Sequence, residues 1–193
     1  MTVTQSPTAP EDFRRAVDGL ASVSPRPEIA LGPIRAPQQL APYTYALSAE
    51  VAAEDVEAFG RLILLHDPDG HEAWEGTLRL VAFVQSDIDA AVAADALLPE
   101  VAWSWLVDAL EGNDATRTAL GGTVTATSSV RFGDIAGPRR THQVELRASW
   151  TVLGAGGHPP DLVAHGAAFC ALLAEAAGLP PAGVSPLSGR RAR

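Results

Sequence analysis

The chain contains no lysine and only one cysteine, Cys170. A single cysteine excludes a disulfide within the chain and is typical of proteins from a reducing cytoplasm. All 14 basic side chains are arginines, and alanine, glycine and proline are abundant. This composition indicates the mutational bias of a GC-rich genome, such as an actinobacterial one. Arginine content alone is therefore a weak guide to function.

Long apolar runs are also missing. No stretch reaches the roughly 18 uninterrupted apolar residues that a membrane-spanning helix needs. The N-terminal stretch MTVTQSPTAPEDF lacks the basic region and the apolar core of a signal peptide. We therefore expect a cytoplasmic protein without a membrane partner.

Acidic residues outnumber basic ones by 23 to 14, which gives a formal net charge of −9. An acidic surface repels nucleic acids unless a local basic patch reverses the field. The basic clusters are Arg139 and Arg140 in GPRRTH, and Arg190, Arg191 and Arg193 in the terminal GRRAR. Neither cluster has the interleaved aromatic side chains that single-strand binders use. A role as an accessory protein in RNA metabolism is an alternative that depends on these arginines.

The length and composition predict one domain. A chain of 193 residues, 47% of them hydrophobic, is long enough to bury a core of its own. We predict a single α+β domain over residues 9–180, with flexible termini at 1–8 and 185–193.

The first half of the chain is predicted to contain one helix and three strands. Apolar residues recur at helical spacing over 9–21, and Thr8 with Glu11 makes a capping box at its start. Five prolines between Ser24 and Pro42 exclude a long helix, although EIALGPI is suited to a short edge segment. Apolar patterns then predict strands at 45–51, 61–66 and 73–84.

The second half of the chain is predicted to contain a helical stretch, two further helices and two strands. Ser86 is expected to cap a helical stretch that starts at Asp87, and Pro99 opens a second helix that ends near Glu111. Two alternating segments and a final apolar segment predict strands at 124–132 and 144–152 and a helix at 161–177. The order α-β-β-β-α-β-β-α favours a two-layer α+β domain with an antiparallel sheet of about five strands.

The stretch HDPDGHE, from His66 to Glu72, concentrates histidines and acids. Residues 67–70 match a type I turn followed by a left-handed glycine, which predicts a hairpin loop with His66 and His71 largely exposed at the strand ends. The alternative is a metal or small-ligand site that uses His66, His71 and Glu72, with His142 as a further candidate, because imidazoles and a carboxylate hold zinc or nickel. The calcium-loop pattern fails, so we predict no metal and no cofactor.

Two predicted strands are apolar on both sides. In LILL and LVAFV, Ile63, Leu65, Val81 and Phe83 lie on the face opposite Leu62, Leu64, Leu80 and Ala82. A strand with two apolar faces is buried on both. The second face is covered either by the chain's own helices or by another protein, and the sequence leaves both alternatives open.

Nucleophilic catalysis has little support. Cys170 lies between Phe169 and Ala171 in the last predicted helix, where a buried small hydrophobe is expected. There is no G-x-S-x-G elbow, and LGAGGH at 153–158 lacks the ending of a phosphate-binding loop.

Across RPEIALGPIRAPQQLAPY, HDPDGHEAWEGTLRLV and VRFGDIAG, the chain resembles an uncharacterised actinobacterial family, domain of unknown function 3000. This resemblance implies a cytoplasmic actinobacterial protein and carries over no catalytic residues. The order of helices and strands also resembles the secretion-chaperone-like (YbjN-like) fold, whose members are often acidic, dimeric proteins that bind another protein. A likeness of fold implies no function by itself.

These patterns favour a non-enzymatic interaction or adaptor module. Its partner is expected to be another protein or a second copy of the chain, with Ile63, Leu65, Val81 and Phe83 as the interaction face. A ligand-binding protein or enzyme that uses the His66–Glu72 hairpin is the alternative.

Overall fold

The computed structural model describes residues 9–37, 39–52, 57–135, 137 and 140–181. Within these residues the chain forms six strands and four α-helices. The strands are β1 (Ile29–Ile34), β2 (Tyr43–Val51), β3 (Ala58–His71), β4 (Gly76–Asp87), β5 (Arg117–Ser129) and β6 (Thr141–Val152). The helices are α1 (Glu11–Ala21), α2 (Ala90–Ala93), α3 (Leu98–Gly112) and α4 (Leu162–Ala176).

The strands form one antiparallel sheet in the order β1-β2-β3-β4-β6-β5. β1 to β4 are sequential neighbours in a meander, which is how antiparallel strands on short connections usually pair. After β4 the chain passes through α2 and α3 and returns as β5 at the far edge. β6 then fills the place between β4 and β5, so β3, β4 and β6 lie in the middle of the sheet.

The helices pack on one face of this sheet. α4 contacts β2, β3 and β4, and both α1 and α3 contact α4. The Phe169 ring of α4 lies over Gly60 of β3, where an added Cβ would be 2.8 Å from the ring. Between the layers lie Leu62, Leu64, Leu80, Trp150, Leu172 and Leu173, all without exposed surface. Each large apolar side chain buried here stabilises the fold by about 1.5–3 kcal/mol.

The helix boundaries follow from local sequence. In α1, Phe13, Ala16 and Leu20 recur at helical spacing and are buried, and the acidic residues of the first turn suit the positive end of the helix dipole. α4 begins after Asp161, whose Oδ1 accepts hydrogen bonds from the backbone N–H groups of Val163 at 3.0 Å and Ala164 at 3.3 Å.

The predicted α+β class with an antiparallel sheet is confirmed, and the sheet has six strands because EIALGPI forms the edge strand β1. The helix predicted at 9–21 begins at Glu11. Thr8 of the predicted capping box lies outside the described residues, as do residues 1–8 and 185–193, which were predicted to be flexible termini.

The prediction that Ser86 caps a helix is wrong. β4 continues to Asp87, because Ser86 pairs with Ala58 of β3 and with Val144 of β6. The amide of Gln143 also donates to the Asp87 carboxylate at 2.8 Å. Pairing on both sides therefore extends the strand, and α2 begins only at Ala90.

The predicted position of the β3–β4 turn is also wrong. The chain reverses at the 3-10 turn Glu72–Trp74 and at Glu75, which has a φ of 58°. Residues 67–70 instead form an irregularity within β3, between the pairs His66–Leu78 and His71–Gly76. The turn chemistry is present, since Asp67 accepts from the Asp69 N–H at 3.1 Å and Gly70 has a φ of 77°. It bulges the strand without reversing it.

In the part of the chain that the structure describes, no helix has the length and apolar character required to cross a membrane.

Candidate functional site

The sheet surface opposite α4 carries the residues that the sequence singled out as an interaction face. Ile63 pairs with Val81, and Val81 pairs with Ser149 on its other side. The helices contact the other surface, where Phe13 packs on His66 and Phe169 lies over Gly60. We call the surface away from the helices the open face. In the three central strands it consists of Phe59, Arg61, Ile63, Leu65, Arg79, Val81, Phe83, Gln85, Glu145, Arg147, Ser149 and Thr151.

An aromatic pair flanked by arginines lies at the centre of the open face. Phe83 is paired with Arg61 on one side and with Arg147 on the other. The guanidinium carbon of Arg147 lies 5.3 Å from the centroid of the Phe83 ring, a cation–π geometry. Phe59 packs against the same ring at 5.6 Å and 45°. Arg147 is also held by Glu145 at 2.7 Å, so the row is an ordered, amphipathic patch.

Arg79 occupies the next part of the open face and bonds only to neutral oxygens there. Its guanidinium donates to the Ser149 hydroxyl at 2.7 Å, the Thr151 hydroxyl at 3.1 Å and the Ala119 carbonyl at 3.3 Å. Burial lowers the pKa of Arg79 from its ordinary value. Among the described residues no carboxylate forms an ion pair with it. The guanidinium of Arg79 is therefore a positive charge on the open face with no carboxylate partner among the described residues.

The four predicted interaction residues differ in how much of their surface is exposed. Ile63, Val81 and Phe83 are half-buried on the open face. Leu65 lies on the same face but is only 6% exposed, so it contributes little surface. In register it lies between Thr44 and Arg79, which pair with it from the neighbouring strands. An interaction through this face stays a prediction.

The expectation that His66 is exposed is wrong, since its exposed fraction is 3%. His66 is buried because β2 begins opposite it, at the pair Tyr43–His66, and because α1 covers it with Phe13. Its Nδ1–H donates to the Thr77 carbonyl at 3.0 Å. Its Nε2 is buried without a hydrogen-bond partner among the described residues.

His71 and Glu72 lie at the reversal of the hairpin and are exposed. The Nδ1 atom of His71 accepts from the Ala73 N–H at 3.2 Å, and the ring stacks on Trp74 at 5.1 Å. His71 thus caps the 3-10 turn, whereas His66 is part of the packed layer. The two imidazoles that sequence proximity suggested as joint ligands have separate structural roles.

His142 lies far from this hairpin. It pairs with Ser128 at the start of β6, whereas His66 pairs with Leu78 near the opposite end of the sheet. About ten residue steps along the strands separate the two levels, or roughly 30 Å. Arg140 is exposed beside His142, and Arg139 lies outside the described residues together with Arg190, Arg191 and Arg193. No group of three or more metal-ligating side chains occurs among the residues that the structure describes.

Comparison with known families decides the assignment of the chain. A sequence profile described as "Protein of unknown function (DUF3000)" matches residues 9–185, which include every helix and strand given above. The chain belongs to this family. The family resemblance inferred from the sequence is thereby confirmed. No curated protein and no solved structure matches the chain.

The most deeply placed histidine of this DUF3000 protein was missed by the sequence reasoning. His165 of α4 has 1% exposure, and its Nδ1 accepts a hydrogen bond from the Trp150 indole N–H at 3.0 Å. Desolvation lowers the pKa of His165 to about 4, partly offset by a backbone hydrogen bond with Thr116 and by the Asp161 charge. The imidazole is therefore neutral at pH 7 and joins α4 to β6 as a structural group. The partners are 15 residues apart, so no local spacing reveals them.

The expectation that Cys170 is buried is confirmed. Burial raises the pKa of its thiol to about 11, so the nucleophilic thiolate is scarce at neutral pH. Cys170 borders a mainly apolar cavity of about 280 Å³ between α4 and the segments around Val23 and Leu179. Arg26 lies at this cavity, but its guanidinium is occupied by Glu28 at 2.9 Å and by the Pro180 carbonyl at 2.8 Å. Neither the Cys170 thiol nor the Arg26 guanidinium is therefore free to react with or bind a ligand in this cavity.

Proposed function

We propose that this DUF3000 protein is a non-enzymatic interaction module. In this proposal the open face binds a segment of another protein that presents both apolar and acidic side chains. The observation that carries the proposal is the position of Phe83 among Phe59, Arg61 and Arg147 on a sheet surface that no described helix covers. The buried single cysteine is consistent with a cytoplasmic site of action.

The open face is large enough for a specific interface. Five spacings between six strands give a width of about 24 Å, and eight to nine residues along each of the four inner strands give a length of about 27 Å. The resulting footprint of roughly 650 Å² is close to the ~800 Å² that one partner buries in a standard interface. Its centre contains Ile63, Val81 and Phe83, so the apolar part coincides with the region that a partner would desolvate most fully.

The charge of the open face favours an acidic partner. Arg61, Arg79 and Arg147 lie in the central rows, although the whole chain has a formal net charge of −9. Of these, Arg147 is paired with Glu145 and Arg79 bonds to neutral groups. A carboxylate that approaches Arg79 and Arg61 replaces water on an uncompensated guanidinium, which strengthens a charge-assisted hydrogen bond. The apolar centre and the arginines of the open face therefore both favour a segment that carries apolar and acidic side chains.

A protein segment suits this surface better than a nucleic acid. Bases stack on aromatic faces that are free to receive them. Here Phe59 and Phe83 pack against each other, and Arg147 covers the Phe83 ring. The overall negative charge of the chain adds a repulsion that a phosphate backbone would feel along its whole length.

We expect Val81→Asp with Phe83→Asp to abolish partner binding while the fold is retained, because two carboxylates would replace the apolar centre and would repel an acidic ligand. The measurement is selection of a library of displayed 12-residue peptides on the wild-type protein, with the double variant for counter-selection. The enriched peptides should alternate apolar residues with Asp or Glu. Their affinity, measured by fluorescence anisotropy, should fall at least about tenfold for the variant, or by about 1.4 kcal/mol.

Matched variants separate charge from packing. Arg61→Glu with Arg147→Glu should weaken the selected peptides, whereas Arg61→Lys with Arg147→Lys should retain much of the binding, since lysine keeps the charge but loses the planar fork. Ser104→Asp adds one charge on the exposed side of α3, in the helix layer away from the open face, and should change little. A basic peptide consensus, or equal binding to the Val81/Phe83 variant, would refute the proposal. Tight binding of labelled poly(U) that is lost in the Arg→Glu variant would assign the face to RNA instead.

A further inference from the structure

The two edges of the sheet are protected to different degrees. β1 is a six-residue edge strand that contains Gly32 and Pro33, and proline donates no backbone hydrogen bond. β5, at the other edge, has 13 residues. From Thr118 to Ser129 it contains neither a charged residue nor a proline. Proteins usually protect a long edge with such residues, because unpaired backbone groups accept another strand.

No described strand pairs with the outer edge of β5 along its regular part. A bulge lies between Thr118 and Gly121, where Ala119 has a φ of 49°. From Gly121 to Ser129 the register with β6 is unbroken. All nine of these residues are exposed except Val124, which is half-buried. Within the described residues β5 pairs with β6 alone, so its second row of backbone N–H and C=O groups has no strand partner.

We propose that β5 pairs antiparallel with β5 of a second copy of this chain, about a two-fold axis at Thr125. This interface uses the edge of the sheet and does not depend on the proposed partner of the open face. Thr125 is the midpoint of the regular segment 121–129. In this register Thr123 lies opposite Thr127, Val124 opposite Ala126, and Thr125 opposite itself.

The sequence TVTAT is thus self-complementary about this axis. Threonine lies opposite threonine on one surface, and two small apolar residues meet on the other, which are favourable cross-strand pairs. About eight to ten interchain backbone hydrogen bonds would form, two at every second residue pair, which is close to the number found in an ordinary interface. The paired segments 121–129 carry no charged residue, so the pairing brings no like charges together although each chain has a formal net charge of −9.

Exposed apolar side chains next to β5 also support a second copy of this chain as its partner. Phe132 is 78% exposed and Ile135 is 73% exposed, on the connection that follows β5. Val130, just after the strand, is also exposed. β5 ends at Ser129, so in the proposed dimer Val130 and Phe132 leave the paired strands beside the bulge at Thr118–Gly121 of the second copy. The pairing would therefore bring these exposed apolar side chains close to a second copy of the chain.

The test is a charge-reversal rescue at the paired threonines. Thr123→Glu with Thr127→Glu brings like charges face to face twice, and should raise the dimer dissociation constant at least about tenfold. Thr123→Glu with Thr127→Lys brings opposite charges face to face in the same register, and should restore dimerisation. Sedimentation equilibrium measures both, and circular dichroism confirms that these exposed positions leave the monomer folded.

The rescued variant also allows a direct test of the register. The chain has no lysine, so the introduced lysine at position 127 would be its only one. It lies four residues, or about 13 Å, from position 123 of its own strand, beyond the reach of a zero-length crosslink. Carbodiimide crosslinking and mass spectrometry should therefore link positions 127 and 123 between two copies. A wild-type protein that stays monomeric at high concentration overturns the proposal, as does a dimer unaffected by the paired glutamates or a variant that is not rescued.

Discussion

Phe169→Ala is expected to lower the free energy of unfolding by about 3–5 kcal/mol, the range for removing a buried phenyl ring from a core. Phe169 is 1% exposed and lies between α4 and the middle of the sheet. Its loss removes contacts from both layers at once and leaves a cavity over Gly60. Urea unfolding followed by circular dichroism measures the change. A loss below about 1 kcal/mol would contradict the layer packing described here.

Gly60 provides the partner for a double-mutant cycle. A Cβ at this position would lie 2.8 Å from Phe169 Cζ and 3.1 Å from the Phe83 carbonyl oxygen. Gly60→Ala should therefore destabilise the wild type by about 1–3 kcal/mol through overpacking. In the Phe169→Ala background the same change should be much less costly, since the ring is gone. Gly32→Ala is the matched control, because an added Cβ there meets nothing within 4 Å.

The stability of the protein is expected to fall by about 3 kcal/mol between pH 7 and pH 4 through His165 alone. The folded-state pKa of His165 is about 4, below the ordinary value of 6.5, because burial penalises the charged imidazolium. Below pH 6.5 the unfolded chain therefore binds a proton that the folded chain rejects. The stabilising contribution is complete above pH 6.5 and is lost as the pH falls toward 4. Urea unfolding at half-unit intervals of pH measures this slope.

His165→Gln isolates this contribution. The glutamine side-chain oxygen can still accept from the Trp150 indole N–H but has no proton to gain in this range. The variant should be less stable than the wild type at pH 7, and the difference should shrink or reverse toward pH 4. Glu28, whose pKa Arg26 lowers to about 2, acts only below its ordinary value of 4.5 and is common to both proteins. Parallel pH profiles for the two proteins would show that His165 is not the responsible group.

The main layers could be predicted because burial follows strand periodicity. LILL and LVAFV place apolar groups on both faces, and the structure shows one of these faces under α4 and the other open. The sequence did not decide between a helix and a partner over the second face, because that depends on the side of the sheet on which the crossover passes. The connection from β4 to β5 takes α3 to the face that α4 also covers, and no local pattern encodes that choice.

The hairpin was harder to predict because its local chemistry is compatible with two structures. Asp67 and Gly70 stabilise a tight bend whether the chain then reverses or continues. The outcome depends on longer-range pairing, since His71 still pairs with Gly76 and caps the next turn through Ala73. Burial of His66 has the same origin, because Phe13 and Tyr43 approach it from elements distant in sequence. Such contacts have no signature in a window of seven residues.

The place of α4 in the chain has a consequence for synthesis. All six strands precede α4 in sequence, yet α4 covers the middle of the sheet that they form. While the ribosome is still translating the segment after β6, the inner sides of β2, β3 and β4 therefore have no permanent cover. The nascent protein must keep Leu62, Leu64 and Leu80 from other chains until α4 leaves the exit tunnel. Folding of this domain is consequently completed late, and a chain that stops before Asp161 exposes its core.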